Sequence, residues 1–207
     1  MKSLIVLCGG LSTRMGHDKG SMIFDDKPMI IHLLDSLKMV ADEILLVLRD
    51  ENQCKIYKKI LTDYKFIGTH GFKLFTDIEM DQGPLGGILT GLKHISSNKA
   101  MVVPCDSPFI SQKLIIYMFE LSKKYTNFDS FVPIWSNGNM EPLHSIYSKD
   151  SYKIIKELLE DDQKNVKTLI SRLNVKFVEI ESLDLPKKSF LNLNSLEDIK
   201  RINENCE

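Results

Sequence analysis

Apolar and polar positions follow two alternating patterns along most of this chain. Short, uninterrupted apolar runs are typical of strands that are buried on both faces, and longer segments with apolar residues three and four positions apart are typical of amphipathic helices. The first half predicts strands at 4–7, 44–48, 72–76 and 100–104 and helices at 28–38, 51–61, 85–95 and 111–124. This alternation predicts an α/β fold, with an open, mostly parallel sheet and helices on both faces.

The second half of the chain is less regular. Its pattern predicts strands at 130–134, 143–147, 175–180 and 190–193 and helices at 150–159, 166–172 and 196–202. A turn over 136–139 separates the first two of these strands. Because no linker rich in Pro, Gly or Ser interrupts the 207 residues, we predict a single domain with a three-layer, doubly wound sheet and an irregular C-terminal half.

A glycine-rich loop follows the first strand and carries two cations, Arg14 and Lys19, before the next predicted helix. Glycines allow backbone N–H groups to approach an anion closely, and the two cations supply charge that suits a triphosphate. The loop is neither a P-loop nor a dinucleotide-binding motif. An ordinary turn between strand and helix would explain the glycines alone, but the cations favour a nucleotide phosphate site.

Two further signals fall at the same predicted edge of the sheet. Asp106 follows the strand at 100–104, where a carboxylate could hold Mg²⁺ against nucleotide phosphates. Gly83 and Pro84 open a helix whose free N–H groups could contact an anion. A turn aspartate and a plain helix start are the alternatives. Ligands of α/β proteins bind beyond the carboxyl ends of the parallel strands. Because the glycine-rich loop, Asp106 and the helix start at Gly83 all fall at this edge, a ligand-binding site is favoured there.

Composition excludes several classes of function. The net charge of −1 gives no support for generic binding to nucleic acids or to anionic membranes. No apolar run is long enough to span a membrane or to serve as a secretory signal, so a cytoplasmic protein is expected. The 4 cysteines form no C-x-x-C pair and the 5 histidines show no metal spacing. Among them, His144 is interpreted as a packed strand histidine.

Together these motifs resemble the family of molybdenum cofactor guanylyltransferases, over nearly the whole chain and in the same order. The family's opening motif, Leu-x-Gly-Gly-x-x-x-Arg-Met-Gly-x-Asp-Lys, is matched by Leu7, Gly9, Gly10, Arg14, Met15, Gly16, Asp18 and Lys19. Its later motifs are matched by Gly83, Pro84, Leu85, Gly87, Pro104, Cys105, Asp106, Asn192 and Asn194. The resemblance implies a fold similar to that of the nucleotide-diphospho-sugar transferases.

The resemblance also implies a reaction and a set of roles. GMP would pass from GTP to the phosphate of molybdopterin, releasing pyrophosphate and forming molybdopterin guanine dinucleotide. Arg14 and Lys19 would bind the triphosphate and stabilise the charge of the transition state, and Asp106 would hold Mg²⁺. These three are the predicted catalytic residues. Further nucleotide contacts are expected from Leu7, Cys8, Gly9, Gly10, Leu11, Asp77, Gly83 and Asp106. Asn192 and Asn194 would face the pterin acceptor, so that residues 1–108 mainly bind nucleotide and residues 109–207 mainly bind acceptor.

Some assignments remain open. The residue that reads the base could be Arg49, Asn52, Asp77 or Asp81, and Lys164 and Lys167 are loose candidates for anion contacts with the acceptor. A transferase that uses CTP or a sugar phosphate is the enzymatic alternative, and a nucleotide-binding adaptor is the non-enzymatic one. The resemblance also allows transient contacts with other cofactor-biosynthesis proteins or molybdoenzymes.

Overall fold

A computed structural model of the chain describes residues 1–9, 18–68, 71–77, 82–125, 127–183, 187–193 and 198. The strands are β1 (Ser3–Leu7), β2 (Ile23–Phe24), β3 (Lys27–Pro28), β4 (Glu43–Leu48), β5 (Phe72–Thr76), β6 (Lys99–Pro104), β7 (Ser130–Ile134), β8 (Ile146–Ser148) and β9 (Val175–Glu179). The α-helices are α1 (Met29–Leu37), α2 (Glu51–Asp63), α3 (Gly83–His94), α4 (Gln112–Lys124), α5 (Ser151–Glu160) and α6 (Val166–Arg172). Short 3-10 helices span Lys19–Ser21, Pro142–His144, Ile180–Ser182 and Lys187–Phe190.

Among the residues that the structure describes, seven strands form the main sheet in the order β5-β4-β1-β6-β8-β7-β9. Four neighbouring pairs, β5/β4, β4/β1, β1/β6 and β7/β9, are parallel, whereas β8 runs antiparallel to both of its neighbours. The prediction of a mostly parallel sheet is therefore confirmed. Because β1 lies between β4 and β6, its last residue, Leu7, sits level with Val47 and Pro104, and the three strands present their carboxyl ends together.

In the described ranges, each face of the sheet packs against three helices. Alternate residues of β1 point to opposite sides, so that Leu4 and Val6 join a core with α1, α2 and α4, while Ile5 joins a second core with α3, α5 and α6. Helix α3 approaches β1 closely because Gly91 has no side chain there. A Cβ atom on Gly91 would lie 2.5 Å from the Ile5 side chain. Within the described part of the chain, no helix has the length and apolar character to cross a membrane.

Three sequence-based predictions about secondary structure need correction. The loop does not lead directly into a helix, because the β2–β3 hairpin precedes α1 and turns at Asp25 and Asp26, both with positive φ. The predicted strand at 143–147 is wrong in its first half, since the His144 N–H bonds the Glu141 carbonyl in a 3-10 turn. The strand at 190–193 is also wrong, because its backbone is not part of the sheet. Of the predicted helix at 196–202, only residue 198 is described.

Candidate active site

A cavity of about 590 Å³ opens at the carboxyl ends of β1, β4 and β6. It combines residues from these strand ends with others from the base of the glycine loop, from the start of α3 and from the C-terminal segment. The lining residues are Leu7, Cys8, Gly9, Asp18, Lys19, Val47, Arg49, Asp77, Gly83, Pro84, Gly87, Pro104, Cys105, Asp106, Leu143 and Asn192. The predicted edge of the sheet is therefore where the structure gathers the polar groups.

An ion pair joins two of the predicted catalytic residues inside this cavity. The Lys19 ammonium lies 2.9 Å from Oδ2 of Asp106, and the two side chains are 27% and 13% exposed. Lys19 begins a 3-10 turn, and Asp106 follows β6. The pair places a cation and a carboxylate where phosphate groups could reach both.

The carboxylate of Asp106 also suits a divalent cation. Among the described residues, its second oxygen accepts no hydrogen bond, and no group of three His, Cys, Asp or Glu side chains is arranged as a metal cage. Mg²⁺ is commonly held by one or two carboxylates, with substrate phosphates and water completing its six ligands. A single carboxylate beside an open cavity fits that mode of binding.

Gln53 fixes the base of the glycine loop. This residue is only 2% exposed, although it lies on helix α2 among apolar neighbours. Its Nε2 donates to the Cys8 carbonyl at 2.8 Å and to Oδ1 of Asp18 at 2.5 Å, and its Oε1 accepts the Arg49 N–H at 2.6 Å. The ends of β1 and β4 and the loop are thus tied together by one amide.

Asp18 connects Gln53 to the turn that carries Lys19. Its Oδ2 accepts the Ser21 N–H at 2.9 Å and so caps the turn that begins at Lys19. Sequence analysis did not identify Gln53 as a site residue. The available signal was a polar residue on the apolar side of an amphipathic helix, next to Cys54 and one turn before Tyr57.

Two of the four candidates for reading the base lie in the cavity wall. The Arg49 guanidinium donates to Asp50 at 2.7 Å, and the pKa of Asp50 is held below its usual value by the Gln53 N–H and by Arg49. Asp77 accepts a hydrogen bond from the Thr90 hydroxyl at 2.9 Å. Asn52 is exposed on α2 and does not line the cavity. Arg49 and Asp77 are therefore the better placed candidates.

A second polar group lies on the C-terminal side of the cavity. The Leu193 N–H donates to the Asp106 carbonyl at 2.8 Å, which holds Asn192 against the site. Oδ1 of Asn192 accepts the Ser107 hydroxyl at 2.5 Å, and this hydroxyl lies 3.1 Å from Nε2 of His144. His144 is completely buried, as expected, but it belongs to a 3-10 helix rather than a strand.

Glu141 lies behind His144. Its Oε2 is 3.6 Å from Nδ1 of His144, and its Oε1 accepts the Trp135 indole N–H at 2.7 Å. Burial opposes ionisation of this carboxyl, but the contacts with His144 and Trp135 outweigh it and lower the pKa of Glu141 below its usual value. Glu141 is therefore a carboxylate at neutral pH.

The described residues that the sequence assigned to the site all line this one cavity: Leu7, Cys8, Gly9, Lys19, Asp77, Gly83, Asp106 and Asn192. Four assigned residues lie outside the described ranges, namely Gly10, Leu11, Arg14 and Asn194, as does the alternative Asp81. Lys164 and Lys167 are not among the lining residues. Burial raises the pKa of the Cys8 thiol well above its usual value, in keeping with a packing role.

Comparison with known proteins gives a consistent result. The family model described as MobA-like NTP transferase domain matches residues 4–176. A probable molybdenum cofactor guanylyltransferase from Methanothermobacter thermautotrophicus is 35% identical over 201 residues, covering 97% of this chain and 98% of the relative.

Solved structures agree on the fold. The molybdopterin-guanine dinucleotide biosynthesis protein A from Archaeoglobus fulgidus is 24% identical, with a TM-score of 0.82 and coverage of 100% of this chain and 98% of that one. A 4-diphosphocytidyl-2C-methyl-D-erythritol synthase from Anaerococcus prevotii is 17% identical, with a TM-score of 0.72 and the same coverage. The expected nucleotide-diphospho-sugar transferase fold is confirmed.

Proposed function

Since this chain belongs to the family of MobA-like NTP transferase domains and is a nucleotidyltransferase, we propose that it transfers GMP from GTP to the terminal phosphate of molybdopterin. The products are pyrophosphate and molybdopterin guanine dinucleotide. The observation that carries the proposal is the Lys19–Asp106 pair at 2.9 Å in a cavity that Asn192 also lines. The names of the curated relatives support guanylyl transfer to this acceptor.

The reaction needs positioned substrates and neutralised charge rather than a protein nucleophile. An oxygen of the acceptor phosphate attacks the α-phosphorus of GTP, the new P–O bond forms, and the bond to the β-phosphate oxygen breaks. The Lys19 ammonium donates hydrogen bonds to the triphosphate and to the negative charge that develops on the leaving pyrophosphate. Mg²⁺ bound at Asp106 would supply further neutralisation of phosphate charge.

The remaining assignments follow the same division of the cavity. Leu7, Cys8, Gly9 and Gly83 contact the nucleotide, and Asp77 or Arg49 contacts the base. Gly10, Leu11 and Arg14 complete the phosphate site, while Asn192 and Asn194 bind the acceptor. The segment before residue 109 therefore serves mainly the nucleotide and the segment after it mainly the acceptor. GTP and the acceptor are the small-molecule partners, and we place the reaction in the cytoplasm.

The test is pyrophosphate release from GTP or from CTP, with Mg²⁺ and molybdopterin supplied, together with mass spectrometry of the product. We expect release with GTP and a guanine dinucleotide product. Release with CTP alone would assign the chain to cytidylyl transfer, and release only with a sugar phosphate would assign a different acceptor. GTP binding with no turnover on any acceptor would refute the proposal in favour of an adaptor.

A matched pair of variants tests the role of Asp106. Asp106→Asn keeps the shape of the side chain but removes the charge that holds a cation, so turnover is expected to fall at least about a hundredfold. Asp150→Asn is the control, because this carboxylate is 88% exposed and lies at the start of α5. Near-normal turnover of Asp106→Asn would remove Asp106 from the metal site.

A further inference from the structure

A series of side chains runs from the partly exposed Glu141 through the protein interior to Asn192 in the cavity wall. We call Glu141, His144, Ser107 and Asn192 the acceptor-side relay. Successive polar atoms along it are separated by 3.6, 3.1 and 2.5 Å. His144 and Ser107 are both completely buried, so neither can touch a substrate directly. Only the Asn192 end lies at the cavity.

With the amide oxygen of Asn192 toward Ser107, as in the structure, counting hydrogens gives the relay a direction. The Ser107 hydroxyl has one hydrogen, and the amide oxygen of Asn192 can only accept, so that hydrogen points to Asn192. Nε2 of His144 must therefore donate to Ser107. Nδ1 faces the Glu141 carboxylate at 3.6 Å, where a lone pair would meet negative charge. A hydrogen on Nδ1 would remove this repulsion.

In the opposite direction every donor would also find an acceptor, but Asn192 would present a different amide atom to the cavity. If the Asn192 amide were turned over, its nitrogen would donate to Ser107, Ser107 would donate to Nε2, and neutral His144 would donate from Nδ1 to Glu141. Asn192 would then present its oxygen on the cavity side. The direction of the relay thus decides which end of the amide a substrate meets.

We propose that the acceptor-side relay positions Asn192 with its amide oxygen held inward by Ser107 and its nitrogen on the cavity side, where it recognises an anionic group of the acceptor. Glu141, His144 and Ser107 are positioning residues in this scheme. The proposal rests on the proposed function only for the identity of the acceptor. A phosphate oxygen accepts hydrogen bonds. The amide nitrogen of Asn192 can donate one to it, whereas the amide oxygen, itself an acceptor, would repel the phosphate.

Packing around the relay keeps its members in place. The Phe190 ring stands edge-on to the His144 ring at 5.4 Å and to the Trp135 ring at 5.7 Å. Trp135 in turn holds Oε1 of Glu141 through its indole N–H. The segment that carries Asn192 is therefore anchored on the same side chains that set the direction of the relay.

The direction of the hydrogen bonds in the acceptor-side relay can be measured without an activity assay. Long-range ¹H–¹⁵N correlation spectra of the histidine-labelled protein near neutral pH report which nitrogens of His144 carry hydrogen. We expect Nε2 to carry hydrogen in the wild type. Glu141→Gln retains an oxygen for the Trp135 N–H and offers its NH₂ to Nδ1, so Nε2 should carry hydrogen in this variant as well. A wild-type ring protonated on Nδ1 alone would overturn the proposal.

Kinetics test the link to the acceptor. Ser107→Ala removes one hydrogen bond to Asn192, so the KM for molybdopterin should rise about tenfold while the KM for GTP changes less than about twofold. Ser122→Ala is the matched control. Its hydroxyl is equally buried but bonds the Phe119 carbonyl on α4, so both KM values should stay unchanged.

Glu141→Gln keeps the Nε2–H bond to Ser107 and should raise the acceptor KM less than Ser107→Ala does. Equal effects of Ser107→Ala on both substrates would show a general structural role and contradict the proposal. If the wild type forms no product with any acceptor, the proposed function fails, but the spectra still decide the direction of the relay.

Discussion

Gln53→Leu is the substitution that best tests how the phosphate site is built. The leucine side chain is similar in size and apolar, and it fits the buried side of α2. It leaves three groups without their partner: the Arg49 N–H, the Cys8 carbonyl and Oδ1 of Asp18. Because Gln53 is 2% exposed, water cannot replace its amide without rearrangement.

The expected loss of unfolding free energy in Gln53→Leu follows from these three groups. A buried polar group that loses its partner costs about 1–3 kcal/mol, and burial of the leucine offsets part of the sum. We expect unfolding free energy to fall by about 3–5 kcal/mol, a large share of the roughly 5–15 kcal/mol typical of a domain. GTP affinity should fall as well, because Asp18 would no longer be held where it caps the turn that carries Lys19.

Urea unfolding followed by circular dichroism gives the stability, and titration with GTP and Mg²⁺ gives the affinity. Asn52→Leu is the control, since Asn52 precedes Gln53 on the same helix but is exposed; its effect should stay within about 0.5 kcal/mol. Gln53→Glu keeps an acceptor for the Arg49 N–H but places a buried carboxylate against Asp18 and the Cys8 carbonyl, so a loss at least as large is expected. A loss below about 1 kcal/mol for Gln53→Leu, with normal GTP affinity, would refute the reasoning.

Two further predictions concern other parts of the fold. Burial opposes ionisation of Glu43, but hydrogen bonds led by that from Lys73 outweigh it and lower its pKa from 4.5 to about 2. Glu43→Gln should therefore lower the unfolding free energy by its full amount above pH 4.5, and the difference from the wild type should vanish as the pH falls toward 2. A difference in urea midpoint that does not depend on pH would contradict this. A Cβ atom on Gly20 would lie 2.1 Å from the Tyr57 hydroxyl, so Gly20→Ala should destabilise the protein. Tyr57→Phe should restore part of that loss, whereas strictly additive effects in the double variant would argue against the contact.

The parts of the site that could be predicted from the sequence are those set by regular patterns. Buried parallel strands have long apolar runs, and the residues that follow them must meet at one edge of the sheet. Lys19 and Asp106, which are 87 positions apart, are brought into contact for that reason. The roles of these residues were suggested by family motifs and stay predictions until tested.

The parts that could not be predicted depend on contacts between distant, irregular segments. Nothing in the sequence pairs Ser107 with His144 or with Asn192, because these residues lie in turns without periodicity. The β2–β3 hairpin was missed for a different reason. Two-residue strands are too short to show alternation, and its turn places two aspartates at positive φ, a conformation more often adopted by Asn and Gly.

The pairing of Lys19 with Asp106 has a consequence for nucleotide binding. In the described part of the cavity the charge of Lys19 is offset by the carboxylate 2.9 Å away, so this pair alone offers little net attraction to a triphosphate. Under the proposed function, a divalent cation at Asp106 neutralises that carboxylate and leaves Lys19 able to turn toward the phosphates. The same cation binds phosphate oxygens. Nucleotide and cation should therefore bind together, each strengthening the affinity of the other by the same factor.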